Sequence, residues 1–160
     1  PMKTFINLPV EDLNKSMGFF TRLGFIFNAQ FTNTKAACMV ISEDAYVMLL
    51  SEPFFQEFTT KEIANAKKTA EVIIAISTDS REKVDEMVKA AYDAGGKKYR
   101  EADDKGFMYS CGFQDIDGHV WEIIYMDPEY VLKDSELKDV ANAGKEKTEH
   151  KAEHKTEHKK

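Results

Sequence analysis

"FQDIDGHVWEIIYMDP", residues 113–128, reads as one arm of a β-hairpin, its turn and the returning strand. Asp117-Gly118 is a strong hairpin signal, because both central positions of a type I′ turn require positive φ and β-type residues flank the pair. Val120 to Tyr125 then reads as a largely buried strand with one carboxylate, Glu122, in its middle. Left ionised and unpaired, that group would cost on the order of several kcal/mol in desolvation. Glu122 therefore requires a metal ion, a cationic partner, a proton or an open cavity with water in it. Side chains alternate along a strand, so His119 and Trp121 face away from Glu122. We read His119 as a structural hydrogen-bonding residue at the strand's mouth and Trp121 as core.

The same grammar occurs earlier in the chain. Residues 4–8 form a β-type run, and residues 11–23 a helix with Leu13, Met17, Phe20 and Leu23 on one face, closed by Gly24. β-type runs follow at 25–31, 37–42 and 45–50, the last two joined by a tight Glu43-Asp44 turn. The order then returns: a strand at 72–78, and a helix at 80–94 with Val84, Met87, Val88 and Ala91 inward. Gly95-Gly96 stops that helix, and strands follow near 98–101, 107–114 and 119–125. Phe5 to Asp12 lies over Ile73 to Ser80 at an offset of 68, Gly24 over Gly95 at 71, and Glu43-Asp44 over Asp117-Gly118 at 74. The drift corresponds to small insertions in the second copy. The chain thus spells βαβββ twice, which predicts an α+β fold. Modules 3–51 and 71–128 make one domain, 3–128, whose curved mixed sheet carries helices on its outer face. A site at the pseudo-symmetry axis of such a pair draws on equivalent positions from both halves.

The connector, residues 52–70, carries Phe54, Phe55 and Phe58, then a Thr59-x-x-Glu62 capping box predicted to open a short helix. So aromatic a linker is expected to pack, against the barrel flank or a partner copy, or as a lid over a ligand.

With 160 residues, 42% of them hydrophobic, the chain can bury one substantial core. No apolar run approaches the roughly 18 residues of a membrane span, so we expect a soluble protein with no membrane partner. Met2 reads as the natural start and Pro1 as a processing remnant, with no signal-peptide pattern after them. Cys38 and Cys111 are too few for a disulfide framework and read as free thiols of a reducing cytoplasm. The net charge of −6 conceals an asymmetry: residues 145–160 hold six Lys against four Glu, leaving −8 on residues 1–144. Such a body has no electrostatic footprint for nucleic acid. Residues 129–160 read as a C-terminal extension, a disordered charged tail from about 145. His150, His154 and His158 recur every four residues there and would share one face of a helix able to bind a transition metal weakly.

Two βαβββ units, "FINLPVEDLNKSMGFFTRLGF" at 5–25 and "FQDIDGHVWEIIYMDP" at 113–128 resemble the vicinal oxygen chelate superfamily. That superfamily contains glyoxalase I, bleomycin-resistance proteins, fosfomycin-resistance enzymes and extradiol dioxygenases. The branch this chain is similar to is often labelled predicted lactoylglutathione lyase. The resemblance covers residues 3–128. It implies that the paired modules form a cup or half-barrel, with a divalent metal at its base. His or Gln on the first strand and Glu on the fourth strand of each half hold that metal, which acts as a Lewis acid while a carboxylate moves the proton. It also implies a homodimer, because such half-barrels complete or extend their cups across subunits.

Carried onto this sequence, the first-strand positions are Phe5 and Ile73 and the fourth-strand positions Met48 and Glu122. Glu122 alone is a metal ligand, and a site built from imidazole and carboxylate needs about three or four protein donors. No cofactor is therefore expected, and Glu122 stands as the one remaining metal-ligand candidate. Moving two places along the first strand puts Asn7 in the cup, which adds a neutral oxygen.

The expected cup surface is Phe5, Asn7, Tyr46, Met48, Leu50, Ile73, Ala75, Glu122 and Ile124, an apolar concavity with a single acid at its floor. The bland alternative is a filled core. Cys111 is a further candidate for the lining, its strand parity left open. Arg22 and Arg81 fall on helices and Arg100 near a strand end, so no arginine is placed at the cup base for an anionic substrate such as a glutathione thioester. The function expected is binding of a small molecule through a cationic or hydrogen-bond-donating group that Glu122 accepts. The alternative is a glyoxalase-like lyase or isomerase with an unconventional metal site, or with metal-free acid–base chemistry by Glu122.

Overall fold

A computed structural model of the chain describes residues 1–130; the tail expected from about 145, with its three histidines, lies outside the described residues. The elements of the first half are β1 Thr4–Val10, α1 Leu13–Arg22, β2 Ile26–Phe27, β3 Ala36–Val40 and β4 Ala45–Ser51. A short helix, α2 Glu52–Gln56, opens the connector. The second half runs β5 Ile73–Thr78, α3 Arg81–Asp93, β6 Lys97–Lys98, β7 Asp103–Asp104, β8 Met108–Gln114 and β9 Val120–Met126.

The duplication holds residue by residue. Asp12 caps α1 by accepting from the Lys15 amide, and Ser80 caps α3 by accepting from the Lys83 amide, equivalent positions at the offset of 68. Gly24 and Gly95 end these helices with φ of 98° and 104°. One sheet has the order β1-β4-β3-β2 and the other β5-β9-β8-β6 with β7 beside β8. In both, the first strand pairs parallel with the last: Asn7 lies opposite Met48, and Ala75 opposite Glu122. The antiparallel neighbours agree, Cys38 opposite Met48 and Gly112 opposite Glu122. The fold is α+β, two mixed sheets that do not close on each other.

Each sheet buries one face against the helices. Leu8, Val10, Val47 and Leu49 from the first sheet join Ile74, Phe113, Trp121 and Ile123 from the second in a single core with Phe19, Phe20, Val84 and Val88. Phe20 of α1 packs on Trp121, ring centres 5.0 Å apart, and Phe19 on Phe113 at 6.1 Å, so the first helix serves both modules.

Three local expectations are corrected. The Asp117-Gly118 turn is not type I′, because no non-glycine residue among those described has positive φ and Gly118 alone does, at 91°. The Gly118 amide donates to the Asp115 carbonyl, and Asp115 and His119 close the hairpin. Asp115 Oδ1 accepts from the Asp117 and His119 amides, and this side-chain bonding holds the turn residues in the ordinary region while glycine takes the left-handed one. The helix expected after Thr59 is absent: Thr59 Oγ1 accepts from the Lys61 amide instead, and Gln56 Nε2 donates to the carbonyls of Thr59 and Lys61. The connector's helix lies earlier, at α2, where Pro53 sits in the first turn. The run expected at 25–31 shortens to β2, since Asn28 Oδ1 accepts from the Gln30 amide and starts a 3-10 turn, Ala29–Phe31. No helix among the described residues is long and apolar enough to cross a membrane.

Candidate functional site

The faces turned away from the helices carry the residues expected in the cup. On the first sheet these are Phe5, Asn7, Tyr46, Met48 and Leu50; on the second, Ile73, Ala75, Glu122 and Ile124. Phe5 stacks on its cross-strand neighbour Tyr46, ring centres 4.9 Å apart and 12° from parallel. Phe5 and Ile73 are each 50% exposed, Asn7 and Ala75 are exposed, and Tyr46, Met48 and Ile124 are half-buried. Leu50 is buried, as are Ala36 and Cys38 beside it, at the end of the sheet where α2 packs on β1 and β4. Within one chain these faces are therefore open, not a filled core. The nine residues fall in two groups on sheets that share no strand pairing.

Glu122 is paired. Arg100 Nη2 contacts Glu122 Oε1 and also donates to Ser110 Oγ at 3.1 Å, while its Nε is buried without a hydrogen-bond partner. This corrects the placement of Arg100 away from the cup. The reason lies at Gly112, the β8 neighbour of Glu122: a Cβ there would meet the Tyr99 ring at 3.1 Å. The absent side chain lets the 99–100 segment cross over the sheet and deliver the guanidinium. The strand expected near 98–101 is corrected here: two strands of two residues each, β6 and β7, flank this irregular segment.

Cys111 lies opposite Ile123 on the core side, so it does not line the open face. Burial pushes the thiols of both Cys111 and Cys38 up, the state of an inert, free cysteine.

The remaining polar groups of "DIDGHVWE" serve the fold. His119 Nε2 lies 2.7 Å from the Pro9 carbonyl, so that nitrogen carries the proton and ties β9 to the end of β1. Trp121 Nε1 donates to Asp115 Oδ2 at 2.9 Å, and both side chains are buried. Asp117 accepts from the Glu11 amide and from Ser16 Oγ, 2.9 and 2.8 Å, which fastens the turn to the start of α1.

The donor set does not fit the superfamily's metal. Phe5 and Ile73 offer no donor atom, Met48 offers a thioether, and Glu122 is held by Arg100. No group of three or more His, Cys, Asp or Glu among the described residues is arranged to hold an ion.

A cavity of about 270 Å³ lies elsewhere, between β1, the start of β9 and the connector, and Asn7 is the only expected cup residue in its lining. The sequence offered the connector as a lid over a ligand among other packings but named no lining except Asn7, because the connector is irregular; at the Gly118 turn a Cβ would strike the Lys67 amide nitrogen at 2.8 Å.

A family model described as Bleomycin resistance protein-like N-terminal matches residues 3–42. Among solved structures, a hypothetical protein from S. aureus is 27% identical with a TM-score of 0.68, over 78% of this chain and 94% of that one. A glyoxalase-related enzyme from Fulvimarina pelagi shares 20% identity at a TM-score of 0.68, over 82% and 91% of the two chains. A genomically encoded fosfomycin resistance protein from Listeria monocytogenes shares 19% at 0.57, over 84% and 94%. No curated protein matches the sequence. The duplicated βαβββ architecture and these likenesses give the chain the glyoxalase/bleomycin resistance fold, and the family model is matched over the first module alone.

Proposed function

We propose that this protein binds a small molecule against its open sheet faces, without the superfamily's metal, and that a second copy of the chain completes the cup. The observation that carries the reading is the fate of the four metal positions: Phe5, Ile73 and Met48 have become apolar surface, and Glu122 is engaged by Arg100. What remains is an apolar face with one polar anchor, the usual make-up of a small-molecule site. Glu122 would accept from a ligand's cationic or donor group, in competition with Arg100. Half-exposed Phe5, Ile73 and Met126 support closure by a homodimer, since contiguous apolar surface on these faces gains from being covered. The free, buried thiols are in keeping with a cytoplasmic protein.

The test is elemental analysis of the purified protein together with melting-temperature shifts against a panel of cationic drugs, for wild type and Glu122→Gln. A saturable ligand whose effect is lost in Glu122→Gln, without stoichiometric metal, supports the reading. Stoichiometric Ni, Zn, Mn or Fe that disappears in Glu122→Gln overturns it. The lactoylglutathione lyase alternative draws support from the single carboxylate, Glu122, on the open face of the second sheet. Turnover of the methylglyoxal–glutathione adduct that collapses in Glu122→Gln would establish that alternative; equal, near-zero rates remove it for that substrate.

A further inference from the structure

We infer that the cavity beneath the connector, which Asn7, Pro9 and Val120 border from the open faces and whose lining does not include Glu122, is a second small-molecule site, and that it takes an organic amine with an apolar body. Its inner chamber, about 270 Å³, is walled by Phe55, Ile63, Val72 and Val120. It adjoins a second chamber of about 390 Å³, with which it shares Pro9, Ile63, Ala64, Ala66 and His119. An apolar interior with a few polar groups at one end is the form such sites take.

The roof is built, not draped. The connector's backbone at Ala66-Lys67 sits against Gly118 so closely that any Cβ there would collide with it. Asn65 accepts from the Lys67 amide through its side chain and from Lys68 and Thr69 through its carbonyl, and Gln56 clamps the stretch from Thr59 to Lys61. A preformed cavity avoids the ordering cost that a collapsing loop would impose on a ligand.

Charge and hydrogen-bonding capacity select the ligand class. Glu62 and Glu71 line the inner chamber and Glu11 and Glu52 the outer one, against the cations Lys61 and Lys67. None of these four glutamates has an ion-pair partner among the described residues. His119 lines both chambers, its Nε2–H donating to the Pro9 carbonyl. Carboxylates without ion-pair partners in the lining of an apolar chamber favour a cation with a hydrocarbon body.

The full-length protein, isotope-labelled, is titrated with phenethylamine and separately with phenylpropionate, following backbone amide resonances. Phenethylamine should give saturable shifts at Ile63, Val72, His119 and Val120, with phenylpropionate about fivefold weaker or worse. Ile63→Trp, which fills the chamber from the connector, should abolish the amine's shifts, and Glu62→Gln with Glu71→Gln should weaken binding about fivefold. Glu122→Gln should leave the shifts at Ile63 and Val72 unchanged, which separates this site from the Glu122 anchor. Melting curves identify a variant that has lost its fold, in which case the paired glutamine substitutions decide. Absence of saturable shifts at these amides, equal affinity for the carboxylate, or undiminished amine binding in a folded Ile63→Trp variant would overturn the inference.

Discussion

Replacing Trp121 with Phe should destabilise the protein by about 2.5–5 kcal/mol, a large share of the roughly 5–15 kcal/mol that holds a domain together. Trp121 is wholly buried and meets Phe20 at 5.0 Å, contacts that a phenyl ring partly keeps. What Phe cannot keep is the indole N–H on Asp115 Oδ2 at 2.9 Å. A hydrogen bond to a charged acceptor contributes about 1.5–3 kcal/mol, and the unfilled space adds on the order of 1–2 kcal/mol. The double mutant isolates the bond: in the Asp115→Ala background, which leaves no side-chain acceptor, Trp121→Phe should cost about 1.5–3 kcal/mol less than in wild type.

Asp115 also gives the experiment a pH axis. Burial pushes its carboxyl above the usual range, with His119 and the Trp121 N–H pulling it part of the way back. The native state therefore keeps this proton to a higher pH than the unfolded chain does. Its contribution to stability is full below the ordinary carboxylate range and is lost as pH rises through the raised value. Asp115→Asn should lack that slope, and Trp121→Phe, which takes a donor from the anion, should steepen it. Urea unfolding followed by far-ultraviolet circular dichroism is the assay, because Trp121 is the chain's single tryptophan. A cost under about 1 kcal/mol for Trp121→Phe, with a coupling near zero, would refute the argument that this bond joins motif and core.

Three further outcomes follow. Arg100→Ala leaves Glu122 without its cation in a half-buried setting and should cost about 1–2 kcal/mol, between the values for exposed and buried pairs, in the same unfolding assay. No loss would show that Glu122 is as well served by water. Gly118→Ala should cost about 2–4 kcal/mol and move connector amide resonances, since φ is 91° and the new Cβ would meet Lys67 and Ala66 backbone at 2.8–2.9 Å; unmoved connector resonances would count against a fixed roof. Tyr109, whose hydroxyl donates to Asp85 at 2.6 Å, is pushed up to about 12, so its stabilisation holds below the usual phenol range and is lost as pH rises through that value. Burial also pushes Tyr92 up, so tyrosinate absorbance should show more than one late-titrating ring, of which the Tyr109 component returns toward about 10 in Asp85→Asn.

Much of the architecture was legible because it is written in local periods. Asp12 and Ser80, Gly24 and Gly95, Met48 and Glu122 occupy equivalent places in two patterns of alternating and helical hydrophobicity, and the strand registers reproduce those equivalences. Turn chemistry was less legible: Asp117-Gly118 suits more than one hairpin, and hydrogen bonds to the Asp115 side chain made the choice. The Thr59-x-x-Glu62 pattern failed for a related reason, since Gln56 took the backbone carbonyls and the Thr59 hydroxyl took the Lys61 amide.

By itself the sequence determined the order of elements, the duplication and the residues on each strand face, because these depend on spacing along the chain. It also placed Phe5, Ile73, Met48 and Glu122 at the positions that the resemblance marks for metal ligands. Only the tertiary structure decided what Glu122 touches and where a cavity forms. Arg100 reaches Glu122 from an irregular segment across a glycine, and the connector makes a cavity roof by lying against Gly118. Both are contacts between stretches far apart in sequence whose positions no local period encodes, so they exist only once the two modules and their connector are packed together.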